Sequence, residues 1–490
     1  MKLRPFILCF FISILPAGAN GRELELTLED AIVMARTGSV GAAVALDQLR
    51  TAYWEWRTYR ADRLPEISLS ATIPSYADRY SSYMNENGEY SFVRSHSLDA
   101  VAQLSVVQNI TLTGGTVRLA SSLDFLHQYG SESSNRYMTI PVALSLTQPI
   151  FGVNNMRWRG RIEPVKYAEA KAEFMSATED VALATVDLFF NLILSRENLA
   201  TAAQNLDNAR KLYAVAQEKR SMGQISNNDL LQMELNLLDA DAEYTQCEST
   251  LKSNMFSLRS HLNLTDDVEI VPMVPSAVPI AHISYDHALS QSLSNNKFAH
   301  NIRRRQLEAE YEVAKAKGDM RQINLFAQLG YTGADTSLSQ AYSRLGSNQL
   351  VEIGMSVPLV DWGKRKGRVK VAESNRRVTE SRLRQETMDF KQELFVLVER
   401  FCNQRQQLEL AARANEIARR RYDTNVETYM IGMISTLDLN DSQSRKDECM
   451  RNYINELYRF WSYWYQIRSI TLYDYQTGMP IDNDVRRYIE

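Results

Sequence analysis

The sequence contains few cysteines for its 490 residues. Four are present, and Cys9 lies in an N-terminal segment that we expect to be removed. Cys247, Cys402 and Cys449 then remain. An odd number of cysteines cannot be fully paired within one exported chain. All three lie in helical stretches of the sequence, so we expect buried free thiols, with a disulfide as the alternative.

Motifs of catalysis and metal binding are also missing. The sequence has no His-Glu-x-x-His, phosphate loop, nucleophile elbow or Cys-x-x-Cys pattern, and its six histidines are scattered. We therefore expect no enzyme activity, no cofactor and no metal site. A cell-wall enzyme with a coiled-coil stalk would need paired carboxylates in a pocket, and the sequence shows no such group.

An excess of positive charge and long apolar runs are both missing beyond the first residues. Lys2 and Arg4, the apolar stretch 6–15 and the small residues 17–19 are typical of a secretory signal peptide over residues 1–19. The rest has 53 basic and 59 acidic residues, a mildly acidic balance that argues against a nucleic-acid partner. It has no run of eighteen apolar residues, which excludes a membrane-spanning helix but leaves membrane strands open.

Six segments alternate between apolar and polar residues. Such alternation over roughly ten residues is typical of a tilted membrane strand. The segments are 66–73, 100–112, 116–125, 138–146, 323–331 and 351–359. Long polar connections are expected at 74–97, 127–136 and 333–349, and a short turn at 113–115. Long connections on one side and short turns on the other are typical of outer-membrane strands.

Long helical hairpins are expected after the strands. Apolar residues spaced by four and three, as in a coiled coil, precede and follow both residue 223 and residue 432. A helix from about 164 to 219 would be roughly 80 Å long at 1.5 Å per residue. Residues 28–60 predict one further helix, with Thr27 at its start, and Asp286 opens another.

The chain repeats itself. Gly223-x-x-Ser226-x-x-Asp229 recurs 209 residues later as Gly432-x-x-Ser435-x-x-Asp438, and Pro149 and Pro358 have the same offset. Two landmarks with one offset indicate an internal tandem duplication. The offset between the leading helices is 257, so the first copy holds about 48 extra residues, which two extra strands account for.

The expected domain organisation follows from this duplication. A signal peptide (1–19) precedes a first repeat (20–270) with a helix, four strands and a hairpin whose tip lies near 220–229. A Pro-rich linker (271–283) leads to a second repeat (284–470) with a helix, two strands and a tip near 429–438. A C-terminal tail covers 471–490.

This organisation resembles the TolC-like outer-membrane efflux protein family. The two tip motifs carry the resemblance, together with Gln148-Pro149-Ile150-Phe151 and Val357-Pro358-Leu359-Val360. It implies an α+β membrane protein whose three chains share a transmembrane β-barrel, continued by the helical hairpins as an α-barrel. It implies a passive exit duct of a tripartite efflux or type I secretion system, in the outer membrane of a Gram-negative bacterium and extending into the periplasm. The implied partners are two further copies of the chain, outer-membrane lipid, a periplasmic adaptor protein and an inner-membrane pump.

The number of strands also requires oligomerisation on physical grounds. The smallest single-chain membrane barrels have eight strands, and an open sheet in lipid leaves backbone groups unpaired at several kcal/mol each. Six strands from each of three chains make eighteen, whereas the family's two strands per copy make twelve, and the extra hairpin could also fold outside the membrane. The alternative function is a periplasmic coiled-coil adaptor or scaffold without a pore, although such proteins usually have one hairpin.

The tips supply the candidates for gating, which are Gly223, Asp229, Gly432, Asp438 and Asp441. The resemblance places Asp438 and Asp441 around the closed pore, where threefold symmetry would make rings of charge that tune gating and ion selectivity. The family's Arg two residues after the glycine is replaced by Ile434. Alternatively, Asp229 and Asp438 cap the helices that begin there.

The ends of the strands supply a second set of candidates. Trp158 and Trp362 are expected to be interfacial anchors, or else to pack at the strand–helix junctions. Basic residues surround both, namely Arg157, Arg159, Arg161 and the run 364–368. They are the solvated start of a helix or, alternatively, contact lipid phosphate.

Overall fold

The structure is a computed structural model that describes residues 22–84, 88–130, 133–280, 282–320, 323–355, 360–430, 433 and 436–481. The predicted signal peptide, Pro358, Gly432 and residues 482–490 of the predicted tail lie outside these residues. The chain forms two compact units. Unit 1 contains the residues up to Ala45, Ala177–Tyr285 and Val396–Met479, and unit 2 contains mainly Leu46–Ser176 and Asp286–Phe395.

The helices are numbered in chain order. They are α1 (Leu28–Gly38), α2 (Val40–Ala61), α3 (Asn155–Ser221), α4 (Asn227–Leu262), α5 (Tyr285–Asn295), α6 (Lys297–Asp319), α7 (Leu338–Ser343), α8 (Lys364–Met430) and α9 (Thr436–Thr471). Within the described part of the chain, none of them combines the length and the apolar character that crossing a membrane requires.

The long helices occur in two pairs of equal size. α3 and α8 each have 67 residues, and α4 and α9 each have 36. α8 begins 209 residues after α3, and α9 begins 209 residues after α4. A 67-residue helix is roughly 100 Å long, which is longer than the sequence analysis expected because helical structure begins at Asn155 and continues through Pro164.

The single helix predicted over residues 28–60 is wrong in one respect. Thr27 accepts a hydrogen bond from the backbone N–H of Asp30, as expected, but the helix breaks at Ser39, whose backbone is extended. Ser39 Oγ accepts a hydrogen bond from the N–H of Ala42, so the side chain replaces a helical bond and starts α2. Asn296 interrupts α5 and α6 in the same way, 257 residues later.

The strands are also numbered in chain order. They are β1 (Arg22–Leu26), β2 (Glu66–Met84), β3 (Tyr90–Asn109), β4 (Thr116–Gln128), β5 (Ser134–Ile150), β6 (Val268–Pro272), β7 (Ile323–Asp335), β8 (Leu345–Met355), β9 (Tyr473–Asp474) and β10 (Met479–Pro480). β1 pairs in parallel with β6 in unit 1, which sequence analysis did not predict.

All six predicted strands are found, and in the described part of the chain they form one antiparallel sheet in the order β2-β3-β4-β5-β7-β8. The polar connection predicted at 74–97 is shorter in the structure. β2 continues to Met84 and β3 starts at Tyr90, and the two strands are paired up to these residues. These paired segments are rich in serine and tyrosine, and backbone pairing does not need an apolar face. The connection at 333–349 contains the short helix α7, held by a hydrogen bond from Thr139 Oγ1 to the carbonyl oxygen of Ala341.

The two faces of this sheet differ in chemistry. One face carries a row of large apolar residues in cross-strand register, and all of them are at least partly exposed. The row consists of Ile67, Val106, Leu119, Leu144 and Leu329. The next row, on the opposite face, consists of Ser68, Ser105, Ala120, Ala143, Gly330 and Asn348. In a soluble protein the apolar face of a sheet is packed against other elements, whereas the leucines of this face are exposed within the chain.

The core of unit 1 contains large aromatic residues and a buried ion network. Phe189, Phe190, Phe460 and Trp464 are fully buried. The same unit contains Glu179, which is only 2% exposed and forms ion pairs with two arginines. Buried charges are stable only when they are paired, so this network constrains how the helices pack.

The three cysteines of the described chain are free. The expectation of free thiols is therefore confirmed, but Cys402 is exposed rather than buried, and Cys247 and Cys449 are partly exposed.

Candidate functional site

The first hairpin tip joins α3 to α4 through five residues. Gly223 adopts a left-handed backbone conformation with φ of 73°, and its N–H donates to the carbonyl oxygen of Arg220. Glycine is the residue that takes this conformation without steric cost. The tip motif therefore contains a glycine because the helix α3 ends in a left-handed turn at this position.

Asp229 caps the helix that leaves this tip. Its backbone N–H donates to Ser226 Oγ at 3.1 Å, and the N–H of Ser226 donates to Asp229 Oδ2 at 3.0 Å, which makes a reciprocal capping box. The hydrogen bonds from the side chain and backbone of Ser226 lower the pKa of Asp229. The capping interpretation of this residue thus has direct geometric support.

The role of this cap can be measured at the tip itself. Asp229→Ala is expected to raise amide hydrogen exchange at the start of α4, because the backbone N–H and the hydroxyl of Ser226 lose their acceptor. Since the folded pKa is lowered, the stabilising effect of Asp229 is present at neutral pH and lost as the pH falls below the ordinary aspartate range. Exchange that stays at the wild-type rate would show that the tip is held by other contacts.

The second tip is described only in part. Gly432 and Ser435 lie outside the described residues, and Asp438 is an exposed residue in the first turn of α9. Asp441, one turn further on, accepts a hydrogen bond from Arg421 Nη2 of α8 at 3.0 Å. Both side chains are more than half exposed.

Arg421 was missed by the sequence analysis, which sought a basic partner close to the glycine. A helical hairpin instead brings together residues on opposite sides of the turn. Arg210 and Asp241 make another exposed pair across the first hairpin, at positions that differ from those of the second, with 3.5 Å between Nη2 and Oδ1. Exposed pairs of this kind contribute about 0–1 kcal/mol each, so they align the helices without locking them.

The two candidate tryptophans lie in different environments. Trp158 is half-buried, its ring centroid lies 6.0 Å from that of Tyr311, and Arg161 Cζ lies 4.5 Å from the same centroid. This arrangement matches packing at the junction. Trp362 is 95% exposed and has a left-handed backbone with φ of 52°. Exposure of so large an aromatic surface keeps Trp362 as the stronger candidate for an interfacial anchor.

Both junctions from strand to long helix are capped by residues that sequence analysis did not select. Asn154 Oδ1 accepts the N–H of Arg157 near the start of α3. Asp361 accepts the N–H groups of Arg365 and Gly363 at the start of α8, and these backbone hydrogen bonds lower its pKa. An exposed aromatic residue with a left-handed backbone conformation precedes each helix, Phe151 before α3 and Trp362 before α8.

The described residues contain no group of three or more His, Cys, Asp or Glu side chains that could hold a metal ion. What the geometry provides is a two-faced sheet, two capped junctions and two helical hairpins.

Comparison with solved structures shows the same fold in outer-membrane channels. The CmeC outer membrane channel of Campylobacter jejuni aligns with a TM-score of 0.64 and 16% identity, over 94% of this chain and 88% of that one. VceC from Vibrio cholerae aligns with a TM-score of 0.59 and 13% identity, over 93% and 97%. The open-state MtrE outer membrane channel of Neisseria gonorrhoeae gives 0.57 and 13%, over 91% and 88%. Comparison with curated protein sequences finds no match.

A family model settles the assignment at the level of sequence. The model of the outer membrane efflux protein matches residues 42–264 and 288–471, which is most of the chain. Members of this family are channels, which confirms the predictions of outer-membrane location and of no enzyme activity. The chain therefore belongs to the outer membrane efflux protein family, as an efflux channel of the outer membrane of a Gram-negative bacterium.

Proposed function

We propose that three copies of this chain form one exit duct whose transmembrane β-barrel has eighteen strands, six from each copy. The observation that carries this proposal is the two-faced sheet. Its exposed leucine row suits contact with lipid, and its opposite row of small and polar residues suits a water-filled interior. All six strands pair within this sheet, which favours eighteen strands over twelve.

The edges of the sheet support sharing between copies. Among the described residues, β2 pairs only with β3, and β8 pairs only with β7. Each free edge presents unpaired backbone groups, which cost several kcal/mol each in lipid. Pairing β8 of one copy with β2 of the next closes the sheet and removes every edge.

The helical part of the duct follows from an internal duplication. The equal lengths of α3 and α8 and of α4 and α9, together with the constant 209-residue offset, support two repeats at 20–270 and 284–470 separated by the linker 271–283. Three copies would then contribute six hairpins to an α-barrel. Such a tube passively conducts substrates of an efflux or type I secretion system and gates at its tips.

The tips are the proposed docking and gating points. Gly223 and Gly432 mark the ends that a periplasmic adaptor and an inner-membrane pump would contact. Rings of Asp438 and Asp441 would narrow the passage and attract cations. In this arrangement Arg421 holds Asp441 within its own hairpin and offsets part of the ring's negative charge.

Assembly can be tested on the purified full chain in detergent. We expect native mass spectrometry to show three copies and a planar bilayer to show channel conductance. A detergent-independent monomer without conductance would contradict the proposal and favour the periplasmic scaffold without a pore. A trimer that does not conduct would support assembly but not the duct.

Ion selectivity tests the acidic tip. Asp438→Ala combined with Asp441→Ala is expected to lower the preference for cations in reversal-potential measurements, because each trimer loses six negative charges near the constriction. The matched control is Asp239→Ala with Glu243→Ala, which removes the same charge from exposed positions of α4 away from the tip. Equal selectivity in the two variants would remove the acidic ring from the mechanism.

A further inference from the structure

We propose that a cleft at the first strand–helix junction binds an anionic phospholipid, with its phosphodiester among basic residues and an acyl chain along an apolar wall. The cleft lies in unit 2, between the start of α3 and the end of α6. Neither the tips nor the gating mechanism uses it. The proposal rests on the outer-membrane location, which the family assignment supplies.

The charge of the cleft is of one sign. Arg157, Arg161 and Lys317 line it, and no carboxylate does among the described residues. Arg161 and Lys317 form ion pairs with Glu310 and Glu373, which do not line the cleft, whereas Arg157 forms no ion pair within the described chain. Asn154 adds an amide to the lining. A guanidinium without a competing acid, such as that of Arg157, is a partner that a phosphodiester prefers, and the two paired basic groups add donors beside it.

The wall of the cleft is apolar and preformed. Phe151 and Trp158 contribute aromatic surface, and Arg161 stacks on Trp158. Gly318 lies so close to the segment 152–153 that an added Cβ would be 2.7 Å from the backbone nitrogen of Val153. This close backbone contact fixes the Phe151 turn beside α6, so the cleft does not depend on a flexible loop.

The position of the cleft favours a lipid over a soluble anion. β5 ends at Ile150, directly before Phe151, and β7 begins at Ile323, three residues after Met320 in the cleft wall. The ends of membrane strands lie at the level of lipid headgroups, where aromatic residues concentrate. A free phosphate would use the basic residues but leave the aromatic wall without a function.

The experiment uses the full chain in detergent, titrated with phosphatidylglycerol and followed by native mass spectrometry. We expect about one lipid per chain to be retained. Arg157→Gln with Arg161→Gln is expected to weaken binding about 25-fold, since each basic residue near a lipid surface contributes about fivefold. The control, Arg382→Gln with Arg384→Gln, removes the same charge from exposed positions of α8 and should bind like wild type.

Further measurements distinguish lipid binding from a general anion effect and from burial of the cleft by a neighbouring copy. Ala314→Phe fills the cleft without changing its charge and should also abolish retention, while inorganic phosphate should not displace the lipid. Displacement by inorganic phosphate, or equal loss in the α8 control, would overturn the proposal in favour of a general anion effect. Trimers that retain no lipid would overturn it in favour of a neighbouring copy covering the cleft. The trimer mass itself tests the duct separately.

Discussion

Glu179→Ala is expected to lower the free energy of unfolding by about 3–5 kcal/mol, because it removes the buried carboxylate that pairs with both Arg36 and Arg468. Glu179 Oε1 accepts a hydrogen bond from Arg36 Nη2 at 2.6 Å, and Oε2 accepts one from Arg468 Nε at 3.0 Å. The side chain of Arg468 is itself mostly buried. One carboxylate thus joins α1, α3 and α9, and its removal breaks two ion pairs at once, while Arg468 keeps its pair with Asp474 at 3.1 Å.

The control for this variant lies on the same helix. Glu173→Ala breaks the exposed pair with Lys297, whose atoms are 3.0 Å apart, and should cost about 0–1 kcal/mol. Chemical denaturation in detergent, followed by the fluorescence of the buried Trp464, measures both variants. Similar losses for Glu179→Ala and Glu173→Ala would show that burial of the network does not matter. Restored stability in Glu179→Ala with Arg468→Met would support the uncompensated charge as the cause.

Leu329→Arg is expected to prevent assembly in the membrane, because it places a charge on the proposed lipid-facing side of β7. Leu329 is 55% exposed and stands in register with Leu144 of β5. An arginine near the middle of the bilayer costs about 2–4 kcal/mol, and a trimer carries three copies of it. The measurement is the yield of trimer extracted from the outer membrane.

The neighbouring residue provides the matched control. Gln328 precedes Leu329 on the same strand, and because side chains alternate along a strand it points to the opposite face. Gln328→Arg adds the same charge on the side proposed to face water and should assemble normally. If both variants fail to form trimers, the assignment of the lipid-facing and water-facing sides of the sheet is wrong. If both form trimers normally, Leu329 and the apolar row that contains it do not contact lipid.

Local patterns accounted for much of the fold. Alternation along the chain located all six strands of the sheet, because a strand with one lipid-like face must repeat with a period of two. The glycine, serine and aspartate of the first tip predicted a turn followed by a cap, and Gly223, Ser226 and Asp229 form them. The offsets of 209 and 257 also reappear in the helix boundaries. These features depend on neighbours within a few residues, so the sequence alone contains them.

Only the tertiary structure decided which distant residues meet. The pairing of β1 with β6, the ion pairs of Glu179 with Arg36 and Arg468, and the contact between Gly318 and Val153 join residues that are far apart in sequence. No periodicity encodes such partners, because they depend on how helices rotate and pack against each other. The amino-acid sequence determined where the chain turns and which faces are apolar, whereas packing determined which charges are buried and where a cleft remains.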